Sequence, residues 1–380
     1  MVGMVLSEVI FILAATFPVR VPLRWLFLGY FFDGLCGSFT AAMALTQAYS
    51  TDCTPPAKRN IVFGYFHGCL FGGIAIGPVI AAYIVKASGN IITIFYVTLA
   101  CNCFFVLFIL LVVPESLTKE RRLAAREKEA SLKDEGGWAS GSWLSSIFGL
   151  LKVSNFFGPL AILYPRGEGT SGDLRRNIVL LAAVDTAMFG VAMGSMTVVI
   201  IYSEFMFKWG TFETSIFVSI VNSFRVFVLL VLLPLITRVV RGPKSTAIYQ
   251  SSGSDRLDLS IIRVAIFFDL VGYIGYITTR TGPLFTLAGT IASLGAMGSP
   301  TIQAVLTKHV PRDQVGQLLG AMGLLHALAR VVAPTIFNLI YSVTVAKCPQ
   351  TVFICLAATF GVAFALSWFI RPHGELISTP

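Results

Sequence analysis

The sequence predicts an all-α polytopic membrane protein of about ten spans, and three observations carry that prediction. The chain of 380 residues is 56% hydrophobic and only 12% charged, a balance foreign to soluble domains. Apolar runs of about 20 residues recur along it, each long enough to cross a hydrocarbon core of about 30 Å as a helix. Outside closed barrels, only helices satisfy their own backbone there, so each run is read as a helical rod.

In order, the runs are 1–17, 25–50, 61–86, 91–113, 177–202, 215–236, 261–279, 284–306, 315–343 and 352–370. The first contains Glu8 and lacks a basic leader and a small-residue cleavage site, so it is a span and not a signal peptide. The second carries Asp33. A charged turn, Asp52 to Arg59, feeds the third, where glycines recur at Gly64, Gly68 and Gly72 and again at Gly73 and Gly77, followed by Pro78. That spacing stacks glycines along a helix face and lets a neighbouring backbone approach closely. The contact is either a static packing groove or a moving, substrate-gating surface. The fourth run ends at Pro114-Glu115-Ser116. Residues 117–135 are a mixed-charge stretch of helix formers, expected to be a solvated helix. After it, Trp143, Leu144, Ile147, Phe148 and Leu151 share one face, which suits a helix on the membrane surface or one packed under the bundle. Gly289, Gly295, Gly298 and Pro300 are expected to interrupt the eighth run and Gly316, Gly320 and Gly323 the ninth, or else simply to let these helices pack closely.

The net charge of +9 does not point to nucleic acid, because the basic residues are distributed by loop instead of forming one face. With the 114–176 loop in the cytoplasm, 20 of the 28 Lys and Arg lie on that side and 6 on the other, while Arg225 and Arg330 fall within spans. Without the long loop the margin is 10 against 6. Positive charge is then inside, with both termini and the central loop cytoplasmic, in a plasma or organellar membrane. The seven cysteines are scattered and imply no disulfide framework; five sit in apolar runs, where a thiol packs as a small hydrophobe. No Cys or His pair has metal-ligand spacing, no GxxxxGK[ST] loop occurs, and no cofactor is called for.

The chain divides into an incomplete N-terminal bundle of four spans (1–116), a central loop (117–176), a C-terminal bundle of six spans (177–371) and a short tail (372–380). Carriers built from related halves make a 4 + 6 arrangement suggest an absent N-terminal piece. The motifs resemble the major facilitator superfamily, in its tetracycline/proton-antiporter-like and proton-coupled folate transporter-like branch. Asp52, Arg59, Phe63 and Gly64 match the D-x(6)-R-x(3)-F-G entry to that branch's fifth helix. Gly73 to Pro78 is similar to the antiporter signature GxxxGP, with Ala81-Ala82 in place of the usual trailing glycines. Val310 to Tyr341, with Gln314, Gly316, Gly320 and Pro334, is similar to the eleventh helix. The resemblance implies the two-bundle fold with the first two helices and the intervening G-x-x-x-D-x-x-G-R-[KR] loop lacking.

Charges within spans are costly and are functional candidates with a partner. By the resemblance, Asp33, Asp185, Arg225 and Arg330 fall on cavity-lining helices, and Glu8 and Asp269 on supporting ones. A salt bridge of Asp185 with Arg225 or Arg330 is the competing structural explanation. His67 and His326 could relay protons, or simply bond to their neighbours; His326 and Arg330 share a face. Asp52 and Arg59 are expected to form a pair at a cytoplasmic helix end, fixing the turn or exchanging partners between states. Gln303, Asn222 and Tyr202 could add polar contacts to a cavity. The leading expectation is a secondary active carrier of a small organic solute or drug, working by alternating access and coupled to protons in a lipid bilayer. A truncated, non-transporting or regulatory product is the alternative. An integral membrane enzyme would need clustered carboxylates or histidines at a membrane face, and the charges here are spread singly.

Overall fold

The apolar runs form helices whose ends are set by glycine and proline. The computed structural model describes residues 2–17, 20–22, 24–116, 123, 158–165, 172–241 and 254–372. Helix α1 is Val2–Thr16, and α2 runs in two pieces, Trp25–Leu35 and Ser38–Cys53. The break follows from Gly37 at φ +88° and Ser38 at φ +48°, left-handed backbone that only glycine adopts without strain. Thr54, held extended before Pro55, ends α2. Helix α3, Arg59–Ser88, continues through Pro78 and stops at Gly89, whose N–H donates to the Val85 carbonyl. Helix α4 is Ile92–Leu111.

Helix α5, Gly172–Phe207, begins earlier than its apolar run because charged residues extend it at the start. Helix α6 comprises Thr211–Phe227 and Leu233–Arg241, joined by a π-helical turn, Val228–Leu232. Helix α7 is Arg256–Thr278. Helix α8 is Gly282–Ala292 and Gly298–Leu306, with a 3-10 stretch, Ser293–Met297, between them. Helices α9, Val315–Thr344, and α10, Thr351–Trp368, complete the set. Seven of these rods are long and apolar enough to cross a membrane by length and composition. The glycines of the eighth run do break it. Those of the ninth do not: α9 is one helix, in which Gly316 and Gly320 face open space and Gly323 lets α2 approach at Ala44. The surface-helix reading of 143–151, the solvated helix before it (apart from Leu123) and the tail beyond Pro372 lie outside the described residues.

In the N-terminal group, α1 packs on α2 and α4, while α3 touches α2 and α4. In the C-terminal group, α5 packs on α9 and α10, and α7 on α8 and α10. The two groups meet where α3 lies against α6 and α8, and where the second piece of α2 lies against α9. The well-buried core belongs to the C-terminal helices, around Tyr202, Phe285 and Phe353. Helix α4 buries no residue, and Phe104 and Leu110 on it are 70% and 72% exposed, as lipid-facing side chains are. Four of the five cysteines in apolar runs are also exposed, so the thiols face outward and not into the core. Below, the connector side is the end of the rods from which residues 112–171 depart.

Candidate functional site

Helices α8 and α9 converge on Asp185 of α5. Its carboxylate, 0% exposed in mid-α5, accepts from Ser299 Oγ at 2.8 Å and from Gln303 Nε2 at 3.3 Å. Ser299 and Gln303 lie four residues apart just beyond the 3-10 stretch of α8, so both point the same way. His326 Nε2 of α9 is 2.9 Å from Asp185 Oδ2, and Phe189, one turn after Asp185, stacks on the imidazole at 4.2 Å. A contact of that length needs one proton between nitrogen and oxygen. Burial makes a bare carboxylate costly, and the histidine is the group able to offset it.

The network does not stop within one group. Gln303 Oε1 accepts from Gln47 Nε2 of α2 at 2.5 Å, which joins Asp185 to the N-terminal helices through a single side chain. His67 of α3 bonds through Nδ1 to the Phe63 carbonyl at 2.9 Å and lies within electrostatic range of Asp185 and His326. Nearer the connector side, Arg59 is 3% exposed. Its Nη1 donates to the Thr307 carbonyl at 3.0 Å and to Thr307 Oγ1 at 3.1 Å, and its Nη2 to the Thr51 carbonyl at 3.3 Å. The expected Asp52–Arg59 pair is not formed. Asp52 is exposed and accepts from Ser116 Oγ at 2.9 Å, because the guanidinium is drawn to helix-end carbonyls of the other group.

The remaining candidates divide. The salt bridge of Asp185 with Arg225 or Arg330 is replaced by the histidine contact: Arg330 is exposed one turn beyond His326, and Arg225 lies over the Phe71 ring at 5.0 Å. Asp33 stands apart at the break of α2, where Ser38 Oγ donates to its Oδ2 at 2.7 Å and its Oδ1 is buried without a partner. Gly64 and Gly68 press on Leu233 and Leu230 of α6, whereas Gly73 and Gly77 meet nothing within 4 Å and Pro78 is exposed. Gln47 and Ser299 were invisible to sequence reasoning, since a lone amide or hydroxyl in a span has no spacing signal; the ion pair of Lys308 with Asp258, at 2.5 Å and buried, was equally silent. A separate apolar cavity of about 580 Å³ lies between α5 and α9, lined by Ala183, Thr186, Gly190, Leu325 and Ala329 among others. That is the size of a small-molecule site.

A family model described as Major Facilitator Superfamily matches residues 1–253, two-thirds of the chain. The chain belongs to the major facilitator superfamily. Among curated proteins it is 29% identical to the MFS-type transporter avaJ of Aspergillus versicolor, over 100% of this chain and 71% of the relative. It is 20% identical to the class H tetracycline resistance protein of Pasteurella multocida, over 93% of this chain and 76% of that one. Two yeast membrane proteins are matched over about three-fifths of their own length. Among solved structures, the human organic anion transporter MFSD10 (TETRAN) superposes with a TM-score of 0.67 at 17% identity, over 96% of this chain and 75% of that one. At that identity the likeness concerns the fold. As a superfamily member, the chain is a multi-helix membrane protein of a transporter family and not of an enzyme family.

Proposed function

We propose that this superfamily member is a secondary active carrier of a small organic solute, that its two helix groups rock about a central site, and that protons drive it. The observation that carries the reading is the Asp185 network, which ties a buried acid to a histidine and, through Gln303, to Gln47 across the groups. An added proton on Asp185 cancels the charge that holds Gln303 Nε2, so proton occupancy and the cross-group amide bond become linked. Asp33, with one carboxylate oxygen unpartnered, is a second proton candidate. In this reading the connector side is cytoplasmic, no covalent reaction is catalysed, and the 4 + 6 division corresponds to the rocking bundles.

The experiment is uptake of labelled tetracycline and a panel of organic acids and bases into vesicles holding the purified chain under an imposed pH gradient. Asp185→Asn should lower gradient-driven uptake at least tenfold while exchange without a gradient persists. Unchanged gradient-driven uptake in both Asp185→Asn and His326→Gln overturns the proton assignment.

A further inference from the structure

Arg225 is a cation within a membrane span that spends none of its N–H donors on any described residue. Nor does it form an ion pair among them. Arginine at such depth costs about 2.5–3.5 kcal/mol on insertion scales, a cost normally offset by a partner. Its direction is set by helix periodicity. Ile220, Phe224 and Phe227 form the exposed row of α6, while Val218, Asn222 and Arg225 lie on the more sheltered face that looks between α3 and α8. The guanidinium carbon sits 5.0 Å from the centroid of Phe71, on the other helix group. Stacking covers one face of the planar cation, and its five N–H groups, which point along the edges, bond to no described residue. The π-helical turn Val228–Leu232 begins three residues later, an irregularity common at functional positions.

Asp269 of α7 lies within electrostatic range of Arg225. Its carboxyl packs against the Cα of Gly295 and reaches no ion-pair distance to the guanidinium. When ionised, it lowers the cost of the buried cation without occupying the donors. Phe71 is one turn beyond His67, so the guanidinium of Arg225 lies about 6 Å farther from the connector side than the His67 level.

We propose that Arg225 is the anion anchor of the central site and that the substrate class is an organic anion, held by a bidentate carboxylate or equivalent group on the guanidinium edge. This rests on the carrier reading but not on its proton coupling. The ionised form of Asp269 is then the internal competitor of the bound anion.

The test is equilibrium binding to the purified chain in nanodiscs of three isosteric probes: 2-naphthoate, 2-naphthylmethylammonium and 2-naphthylmethanol. The anion should bind at least tenfold more tightly than the other two. Arg225→Gln should reduce it to the level of the alcohol, Arg225→Lys should recover part of the difference, and at alkaline pH, where Asp269 is ionised, Asp269→Asn should tighten naphthoate severalfold. A merely structural pair would not give opposite signs in the two variants. No binding of any probe at millimolar concentration, equal binding of all three, preference for the ammonium, or a naphthoate preference that survives Arg225→Gln each overturns the proposal. Naphthoate selectivity without pH-driven uptake removes the proton reading alone.

Discussion

The two glycine rows of α3, one of Gly64, Gly68 and Gly72 and one of Gly73 and Gly77, share a four-residue spacing and meet opposite surroundings. From Arg59 to Ala75 the helix is laid against the C-terminal group: Arg59 bonds to Thr307, Gly64 and Gly68 press on α6, and Ser219 Oγ donates to the Ala75 carbonyl at 3.1 Å. From Ile76 onward it is bare, with Ile76 and Tyr83 at 59% and 73% exposure. Glycine spacing alone therefore does not make an interface; the facing helix decides. In this state the helix groups are clamped on the connector side and parted on the other, one of the two arrangements that an alternating carrier needs.

The strongest way to break that comparison is to remove the clamp at its end. Arg59→Ala deletes three hydrogen bonds from a buried cation, each worth about 1.5–3 kcal/mol, and strands the carbonyls that received them. Hydrogen exchange of the amides in 46–53 and 303–309 should quicken at least tenfold. Unaltered exchange would show that the guanidinium does not hold the groups together.

Gly64→Val should act in the same direction with a smaller effect. A Cβ at Gly64 would stand 2.7 Å from Leu233 Cδ2 and 3.5 Å from the Leu229 carbonyl, and Leu233 is fully buried, so it has nowhere to turn. Overpacking of this kind costs about 1–3 kcal/mol, which predicts a several-fold rise in exchange over the same segments. Gly68→Ala is the milder control, because Leu230 opposite it is 38% exposed and free to rotate. Equal effects of the two would mean that α6 yields as a body and is not held at Leu233.

How much of this was legible in sequence follows from the range of each interaction. The rods were legible because hydrophobic length is local, and Gly64 and Gly68 were legible as contact points because their spacing is periodic. Asp185 and His326 could each be singled out as costly polar groups in apolar runs, but their partnership, 141 residues apart, could not. The arginines misled for the same reason: opposite charge suggested Asp185 with Arg225 or Arg330, whereas helix rotation turns Arg330 outward and Arg225 toward Phe71. Gln47 and Ser299 had no signal at all, since an amide or hydroxyl gains meaning only from what the fold places opposite it. The Asp52–Arg59 pair failed because a guanidinium among unpaired helix-end carbonyls satisfies several at once.

The smallest expected effect tests the bare half of α3. Gly77 lies in helix with no residue from another helix within 4 Å of the position a methyl group would take, but Pro78 follows it and its ring disfavours a helical residue with a Cβ before it, so Gly77→Ala gains little or no helix propensity. Connector-side exchange should stay within about twofold of the parent, the range expected of a substitution without contacts. A loss of protection there would mean that the two halves are coupled along the helix, and the contrast between them would fail. If protection holds while vesicle uptake falls, Gly77 is a contact surface in the opposite arrangement, where the parted side closes and a methyl would stand between backbones. The pair of readouts thus separates a glycine needed for this packing from one needed for the next.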